Sequence, residues 1–239
     1  MKKEKKSSKS KKSSMEKILL VSVCVILALW MILSGMSTSG LVGILQTFKT
    51  VKANDSVTID FTLRDANGQP VITSDQNLYQ TAVTQGYPAF LTQSLTVRAG
   101  YTGNPAYTAL GAENYYLSRS GIQENFGIFG LELDELDVAV IGMKVGDTKT
   151  IHFNFTDPLI MTLKDYEFNA MGGNFTSAEV GDIIPLGFSE TPMIQGLQGS
   201  NSTPTNPVIR LGTVINKTAD SIEIQHRYPS ADITVKAIQ

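Results

Sequence analysis

The chain has 239 residues, of which 42% are apolar, and its 20 basic and 22 acidic side chains give a formal net charge of −2. This apolar content is enough for a folded core and excludes a wholly disordered protein. The positive charge is concentrated at one end, because residues 1–17 sum to +6 and residues 18–239 to −8. This charge distribution argues against a basic body that binds nucleic acid.

A long apolar run follows the basic start of the chain. Residues 18–33 read ILLVSVCVILALWMIL and contain no charged side chain. About 20 apolar residues in a helix span a bilayer, so we predict a single transmembrane anchor at 18–36 and a linker at 37–54. The positive-inside rule makes residues 1–17 a basic cytoplasmic tail and places the remaining chain outside the cell membrane. The alternative is a cleaved signal peptide, although its apolar segment usually has only about 7–15 residues.

Five asparagines occupy Asn-X-Ser/Thr sequons, the acceptor pattern for N-glycosylation. They are Asn54, Asn154, Asn174, Asn201 and Asn216. The sequons agree with an exterior location and predict a glycoprotein. Unmodified polar turns are the alternative interpretation.

The first part of the exterior region has a β pattern. Residues 56–64 alternate apolar and polar side chains, which predicts a half-buried strand. A turn with Asn67-Gly68 follows, and 71–73 resume the strand. Residues 77–125 then hold six of the eight tyrosines and only four charged side chains. This insertion either grips a partner or packs on its own domain, and the sequence does not decide between the two.

The second part begins with a short amphipathic segment. Residues 134–141 predict a helix with acidic residues near its start, which suits the helix dipole. A turn at 142–147 and a strand at 148–155 follow. More short strands are expected before the end of the chain, at 182–186, 208–215, 221–226 and 233–237.

Five segments match, in order, the pattern of one protein family. The most specific is LDVAVIGMKVGDTKTIHF at 136–153, with a short helix, a Gly-Met-x-x-Gly-Asp turn and a strand. The others are VTIDFTLRDANGQPVITS at 57–74, VGDIIPL at 180–186, RLGTVINKTADSIEI at 210–224 and RYPSADITVKAI at 227–238. Together they resemble the FKBP-type peptidyl-prolyl isomerases, in particular the SlyD-like branch that inserts a second β domain into its flap.

The resemblance implies a fold class and a domain arrangement. The fold would be α+β, mainly β, with an antiparallel half-barrel sheet around one short helix and an inserted small β domain, preceded by the transmembrane helix. Residues 55–165 plus 229–239 would form the FKBP-like domain, with 77–125 as an insertion in it. Residues 166–228 would form the inserted flap domain, which binds unfolded chains in this family.

The resemblance also implies an activity. The chain would be a peptidyl-prolyl cis-trans isomerase and folding chaperone for unfolded or proline-containing polypeptides exported across the membrane. Rotation about a prolyl bond is limited by loss of amide resonance, and an apolar pocket that favours the less polar twisted amide needs no acid, base or cofactor. The alternatives are a catalytically decayed FKBP-like holdase or peptide-binding module, and a structural cell-surface protein.

Alignment with the family implies eight pocket residues. They are Phe61, Val71, Ile72, Phe126, Leu133, Leu136, Leu159 and Val235. Phe61 stands where the family usually has Tyr, Val71 where Phe is common, and Ile72 where Asp is common. Leu136 would be the pocket floor, and Leu133 holds the position whose backbone N–H binds the substrate carbonyl. Core packing alone also explains most of these residues, and the lost carboxylate weakens polar anchoring of a substrate.

Few residues are suited to binding a metal. The single cysteine, Cys24, excludes an intramolecular disulfide framework and a cysteine-rich metal site. His152 and His226 are the only histidines, so a three-histidine site is excluded as well. We therefore expect no metal and no small-molecule cofactor.

Overall fold

A computed structural model describes residues 49–117, 124–154, 156, 158–188 and 207–239. They belong to one compact unit, residues 49–239. The predicted tail, the predicted anchor and most of the linker lie outside the described residues, as do Cys24 and Asn201. Within the described residues, every helix is too short or too polar to cross a bilayer.

The described chain is mostly β structure. Its strands are β1 (Ser56–Arg64), β2 (Pro70–Thr73), β3 (Phe90–Thr92), β4 (Leu95–Arg98), β5 (Tyr107–Asn114), β6 (Glu124–Phe129), β7 (Thr148–His152), β8 (Ile160–Lys164), β9 (Ile183–Phe188), β10 (Val208–Lys217), β11 (Ser221–Gln225) and β12 (Ser230–Ile238). The helices of the described chain are α1 (Gln76–Thr84), α2 (Gly130–Ala139) and α3 (Asp165–Ala170).

All twelve strands belong to one curled, half-barrel sheet. Ten of them follow the order β7-β12-β1-β2-β3-β5-β6-β10-β11-β8, while β4 pairs with β1 and β9 pairs with β10. The pairs β2·β3 and β6·β10 are parallel, and the other pairs are antiparallel.

Strand β1 confirms the period-two prediction. Val57, Ile59, Phe61 and Leu63 are buried on one face, since alternate side chains of a strand point to opposite faces of the sheet. The strand pairs with β12 from Val57↔Ile238 to Arg64↔Ser230. This pairing of the first and last strands closes the main core, which also contains Leu133 and Leu136 of α2.

A second, smaller core lies under β8 to β11. It contains Phe168 of α3 together with Leu186, Val214, Ile222 and Ile224. The segment that carries this core does not form a separate sheet, because β10 pairs with β6 at Ile209↔Phe126 and then continues to β9 and β11.

The fold class expected from the resemblance is therefore wrong. The sheet is not purely antiparallel, the described chain has three helices, and the strands of 166–228 extend the main sheet. The expected transmembrane helix at 18–36 lies outside the described residues, and no described helix is long and apolar enough to span a membrane. Residues 77–117 pack on the domain itself, since β3 and β5 enter the sheet between β2 and β6. Alternation shows which side chains face a core, but it does not show which distant strands pair.

Helix α2 begins where two backbone segments come into close contact. The Gly130 N–H donates to the Ala106 carbonyl at 3.0 Å, and a Cβ on Gly130 would collide with the Pro105 carbonyl oxygen and lie 2.9 Å from that of Asn104. Backbone cannot move aside as a flexible side chain can.

We therefore expect Gly130→Ala to lower the free energy of unfolding by about 1–3 kcal/mol in urea denaturation. Gly187→Ala is the matched control, because a Cβ there meets nothing within 4 Å, and its effect is expected to stay within about 0.5 kcal/mol. Equal effects of the two substitutions would contradict the close contact.

Strand β12 carries a carboxylate held by two neighbouring strands. Asp232 Oδ2 accepts from Arg64 Nε at 2.7 Å, and Oδ1 accepts from Thr150 Oγ1 at 2.6 Å. Partial burial acts to raise the pKa of Asp232, but the bonds from Thr150 and Arg64 outweigh it and lower that pKa below 3.8. The folded protein thus favours the ionised form more strongly than the unfolded chain does.

This shift predicts a pH dependence of stability. The contribution of Asp232 is complete above its unfolded pKa and is lost as the pH falls through the lower folded pKa. The stability difference between wild type and Asp232→Asn is therefore expected to be constant above about pH 5 and to shrink below about pH 4. Urea denaturation at a series of pH values measures it, and a difference that does not change with pH would refute the assignment.

Candidate functional site

A small cavity lies between the turn after β1 and strands β10 and β11. Its volume is about 290 Å³. Several distant parts of the chain line this cavity. They are strands β2 and β10, the turn after β1, the loop after α1, the loop before β9 and the segment after β11. We call it the β10 cavity.

The floor of the β10 cavity is apolar and rigid. Val71, Leu211 and Tyr228 line it and are buried. Tyr228 Oη donates to the Leu211 carbonyl at 2.9 Å and accepts from the Leu211 N–H at 3.0 Å, which fixes the tyrosine ring. Burial raises the pKa of Tyr228, so its hydroxyl stays neutral and the floor carries no charge.

The wall of the cavity holds a carboxylate and a hydroxyl in contact. Asp65 Oδ1 accepts from the backbone N–H groups of Asn67 at 2.9 Å and Gln69 at 2.8 Å. Its Oδ2 accepts from Tyr87 Oη at 3.0 Å. Burial and the charge of Asp65 both raise the pKa of Tyr87. The wall therefore offers hydrogen-bonding groups of fixed orientation beside an apolar floor.

The mouth of the cavity is flanked by exposed aliphatic side chains and one cation. Val180 is 63% exposed and Ile215 37%, and both line the opening. Arg227, which also lines the cavity, donates from Nη2 to the Phe153 carbonyl at 3.3 Å. An extended apolar peptide could contact this rim while one side chain enters the cavity.

Behind the floor lies a fully buried ion pair. Arg210 Nη2 and Nη1 donate to Glu132 Oε1 and Oε2 at 2.7 and 2.8 Å, and both side chains are 0% exposed. The guanidinium carbon lies 4.2 Å from the Tyr228 ring centre and 3.9 Å from that of Phe129. Burial acts to lower the pKa of Arg210, but the charge of Glu132 outweighs it and raises that pKa. Because Glu132 also accepts from the Phe129 N–H at 2.9 Å, the pair ties β10 to the start of α2.

The eight residues expected to form a pocket are placed differently. Seven of them lie in the main core and are buried: Phe61, Val71, Ile72, Phe126, Leu133, Leu136 and Val235. Only Val71 lines the β10 cavity. The Phe126 ring packs against Phe90 at 5.1 Å and against Tyr228 at 6.2 Å between ring centres, so side chains of the protein fill the space around it.

The eighth residue, Leu159, lies in the loop before β8. It has a φ of +49°, and its carbonyl accepts from the His226 N–H at 3.0 Å. The core residues and Leu159 therefore do not form one open cleft, and a catalytic role for any of the eight stays a prediction.

The residues that shape the β10 cavity were missed at the sequence level. Asp65 matched a turn pattern, and Tyr87 lies in the insertion whose role the sequence left open. Leu211 and Tyr228 occur in two of the segments that carry the resemblance, RLGTVINKTADSIEI and RYPSADITVKAI. The sequence showed that Leu211 and Tyr228 lie in neighbouring segments. It did not show that they line the same cavity, because that depends on how the strands pair.

Comparisons with known proteins do not add an identification. A scan against protein-family models finds no match, and a search of curated proteins finds no significant relative. Membership of the FKBP-type isomerases therefore stays a prediction.

Proposed function

We propose that the chain binds proline-containing segments of unfolded polypeptides at the β10 cavity and accelerates cis–trans isomerisation of their prolyl bonds. The observation that carries this proposal is a small cavity with an apolar floor and with a hydroxyl and a carboxylate fixed on its wall. A volume of about 290 Å³ lies near the lower limit of about 300 Å³ for ligand pockets. It suits one prolyl residue rather than a large ligand.

The chemistry of the reaction fits such a site. The barrier of about 18–20 kcal/mol reflects the lost resonance of the amide as its C–N bond twists. Because the twisted amide is less polar than the planar one, an apolar environment favours the transition state over the ground state. The floor of Val71, Leu211 and Tyr228 supplies this environment, and no proton transfer is required.

Polar groups on the wall would orient the substrate. Asp65 can accept a backbone N–H of the peptide, and the Tyr87 hydroxyl can accept one on its free lone pairs while it donates to Asp65. Such contacts position the prolyl bond above the apolar floor. The predicted anchor at 18–36 supports action on exported chains at the outer face of the membrane.

A coupled assay tests the proposal. Residues 49–239, which form a compact unit with its own core, are mixed at micromolar concentration with a short Ala-Pro-Phe peptide, and chymotrypsin cleaves only the trans isomer. We expect the slow phase, which takes about 10–100 s without catalyst, to accelerate in proportion to protein concentration. A slow phase that does not change with protein concentration would exclude isomerase activity on this substrate.

A second candidate is a holdase that binds apolar segments without catalysis. The burial of Phe126, Leu133 and Leu136 in a closed core favours it, because it leaves the pocket implied by the resemblance without space for a prolyl ring. The protein sample used in the coupled assay, residues 49–239, also distinguishes an isomerase from a holdase. Binding of a permanently unfolded chain without acceleration supports the holdase, and absence of both leaves a structural surface protein.

A further inference from the structure

A shallow groove runs along the outer face of α2, away from the β10 cavity. Its volume is about 420 Å³. Leu131 and Val138 lie seven positions apart on this face and are 52% and 49% exposed. Asp134 and Glu135 lie between them in sequence, and Asn154 and Thr156 border the groove from the loop after β7.

Asn154 and Thr156 are the two defining positions of one sequon. The four sequon asparagines of the described chain, Asn54, Asn154, Asn174 and Asn216, are all exposed. The side-chain oxygen of Asn54 accepts from Arg98 Nη2, that of Asn174 accepts from the Ser177 N–H, and the side-chain nitrogen of Asn216 donates to Glu223 Oε2. Within the described residues, the structure gives no hydrogen bond to the side-chain amide of Asn154, so this amide is accessible and unengaged.

The groove beside this amide has the chemistry of a sugar-binding surface. Aliphatic side chains pack against the C–H faces and the N-acetyl methyl group of an amino sugar, while carboxylates accept from its hydroxyl and amide groups. Leu131 and Val138 supply the first kind of contact. Asp134 and Glu135 supply the second. Burial acts to raise the pKa of Asp134, but hydrogen bonds from Asn104 and Gly103 outweigh it and lower that pKa, so its carboxylate is ionised at neutral pH.

We propose that Asn154 carries an N-linked glycan whose first sugar residues lie in this groove and cover the apolar face of α2. The proposal goes beyond the isomerase function and depends on the exterior location. The donor is a polyprenyl-diphosphate-linked oligosaccharide. A bond forms between Asn154 Nδ2 and the anomeric carbon of the sugar, the bond from that carbon to the phosphate oxygen breaks, the lipid diphosphate leaves, and the amide loses one proton to a base.

The first test is site occupancy. The full chain is produced in a eukaryotic secretory host, and glycopeptide mass spectrometry compares it with Asn154→Gln, Thr156→Ala and the control Asn216→Gln. We expect a glycan at Asn154 that disappears in the first two variants and persists in the third. An unmodified Asn154 overturns the proposal, whether the other sequons are occupied or not.

The second test asks whether the sugar covers the groove. An endoglycosidase trims the folded glycoprotein to one sugar per site, an amidase removes the whole glycan, and the fluorescence of an apolar dye reports exposed hydrophobic surface. We expect dye fluorescence to rise severalfold after the amidase and by less after the endoglycosidase. Untreated Asn154→Gln is expected to give the same fluorescence as the wild-type protein after the amidase.

The double variant Leu131→Ser/Val138→Ser tests whether the dye binds to the α2 groove after the glycan is removed. In this double variant we expect the amidase to leave dye fluorescence unchanged. A wild-type glycoprotein whose fluorescence does not rise after complete deglycosylation overturns the proposal, as does a rise that persists in the double variant. Isomerase activity of unglycosylated residues 49–239 is measured independently, so failure of one proposal does not imply failure of the other.

Discussion

Arg210→Met is expected to lower the free energy of unfolding of residues 49–239 by about 3–5 kcal/mol. The substitution leaves the Glu132 carboxylate buried, with the Phe129 N–H as its one remaining donor among the described residues. It also removes the donors to the Gly127 carbonyl at 2.6 Å and the His226 carbonyl at 3.0 Å. An unpaired charge in a dry interior is costly because water can no longer solvate it. Urea denaturation followed by circular dichroism measures the loss.

Two further variants distinguish the buried pair from a general effect of lost arginine. Combining Arg210→Met with Glu132→Leu removes both charges, so we expect a smaller loss than for Arg210→Met alone. Arg64→Met removes a half-exposed ion pair with Asp232 and is expected to cost only about 0–1 kcal/mol. If Arg210→Met costs no more than Arg64→Met, the pair does not hold β10 against α2.

Val180→Trp is expected to reduce isomerase acceleration at least about tenfold, which corresponds to about 1.4 kcal/mol in the barrier. Val180 lies at the mouth of the β10 cavity, and an indole there blocks the entry of a prolyl ring. The free energy of unfolding is expected to stay within about 0.5 kcal/mol of wild type, because Val180 is exposed and makes little core contact. The coupled peptide assay and urea denaturation of the same sample measure the two effects separately.

The matched control is Val138→Trp. Val138 is similarly exposed but lies on α2, away from the cavity, so we expect wild-type acceleration. Full activity in Val180→Trp would place substrate binding elsewhere. Equal loss in both variants would indicate a general effect of an added indole rather than closure of the cavity.

Local structure was predictable in part, because the sequence indicated β1, β2, α2, β7 and β9 to β12 but not α1, α3, β3 to β6 or β8. The alternation of residues 56–64 predicted β1, and the Asn67-Gly68 turn follows it as expected, with a φ of +77° at Gly68. The predicted helix at 134–141 is present but runs from Gly130 to Ala139. The helix begins earlier because the Glu132 side chain accepts a hydrogen bond from the Phe129 N–H. The sequence does not indicate this cap, since Phe129, the N-cap residue, is apolar.

Long-range structure was not predictable in the same way. Arg210 and Glu132 are 78 positions apart, and a lone arginine in a strand is ordinarily expected to be solvated. The β10 cavity likewise joins Asp65, Tyr87 and Tyr228 from three distant segments. Periodicity predicts which face of its strand each side chain occupies. The pairing of β6 with β10, which brings distant side chains together, cannot be predicted from it. The segments that carry the resemblance contain several of the strands, but the fold class that the resemblance implied is wrong.

Methyl NMR with a bound peptide tests the central claim most directly. Residues 49–239 with labelled Leu, Val and Ile methyl groups are titrated with the Ala-Pro-Phe peptide, and intermolecular contacts to the prolyl ring are recorded. We expect shift changes and contacts at Val71, Leu211 and Val180, with the methyl groups of Leu133 and Leu136 unchanged. Contacts at Leu133 and Leu136 instead, or none to any methyl group of the β10 cavity at saturating peptide, would contradict a prolyl site there.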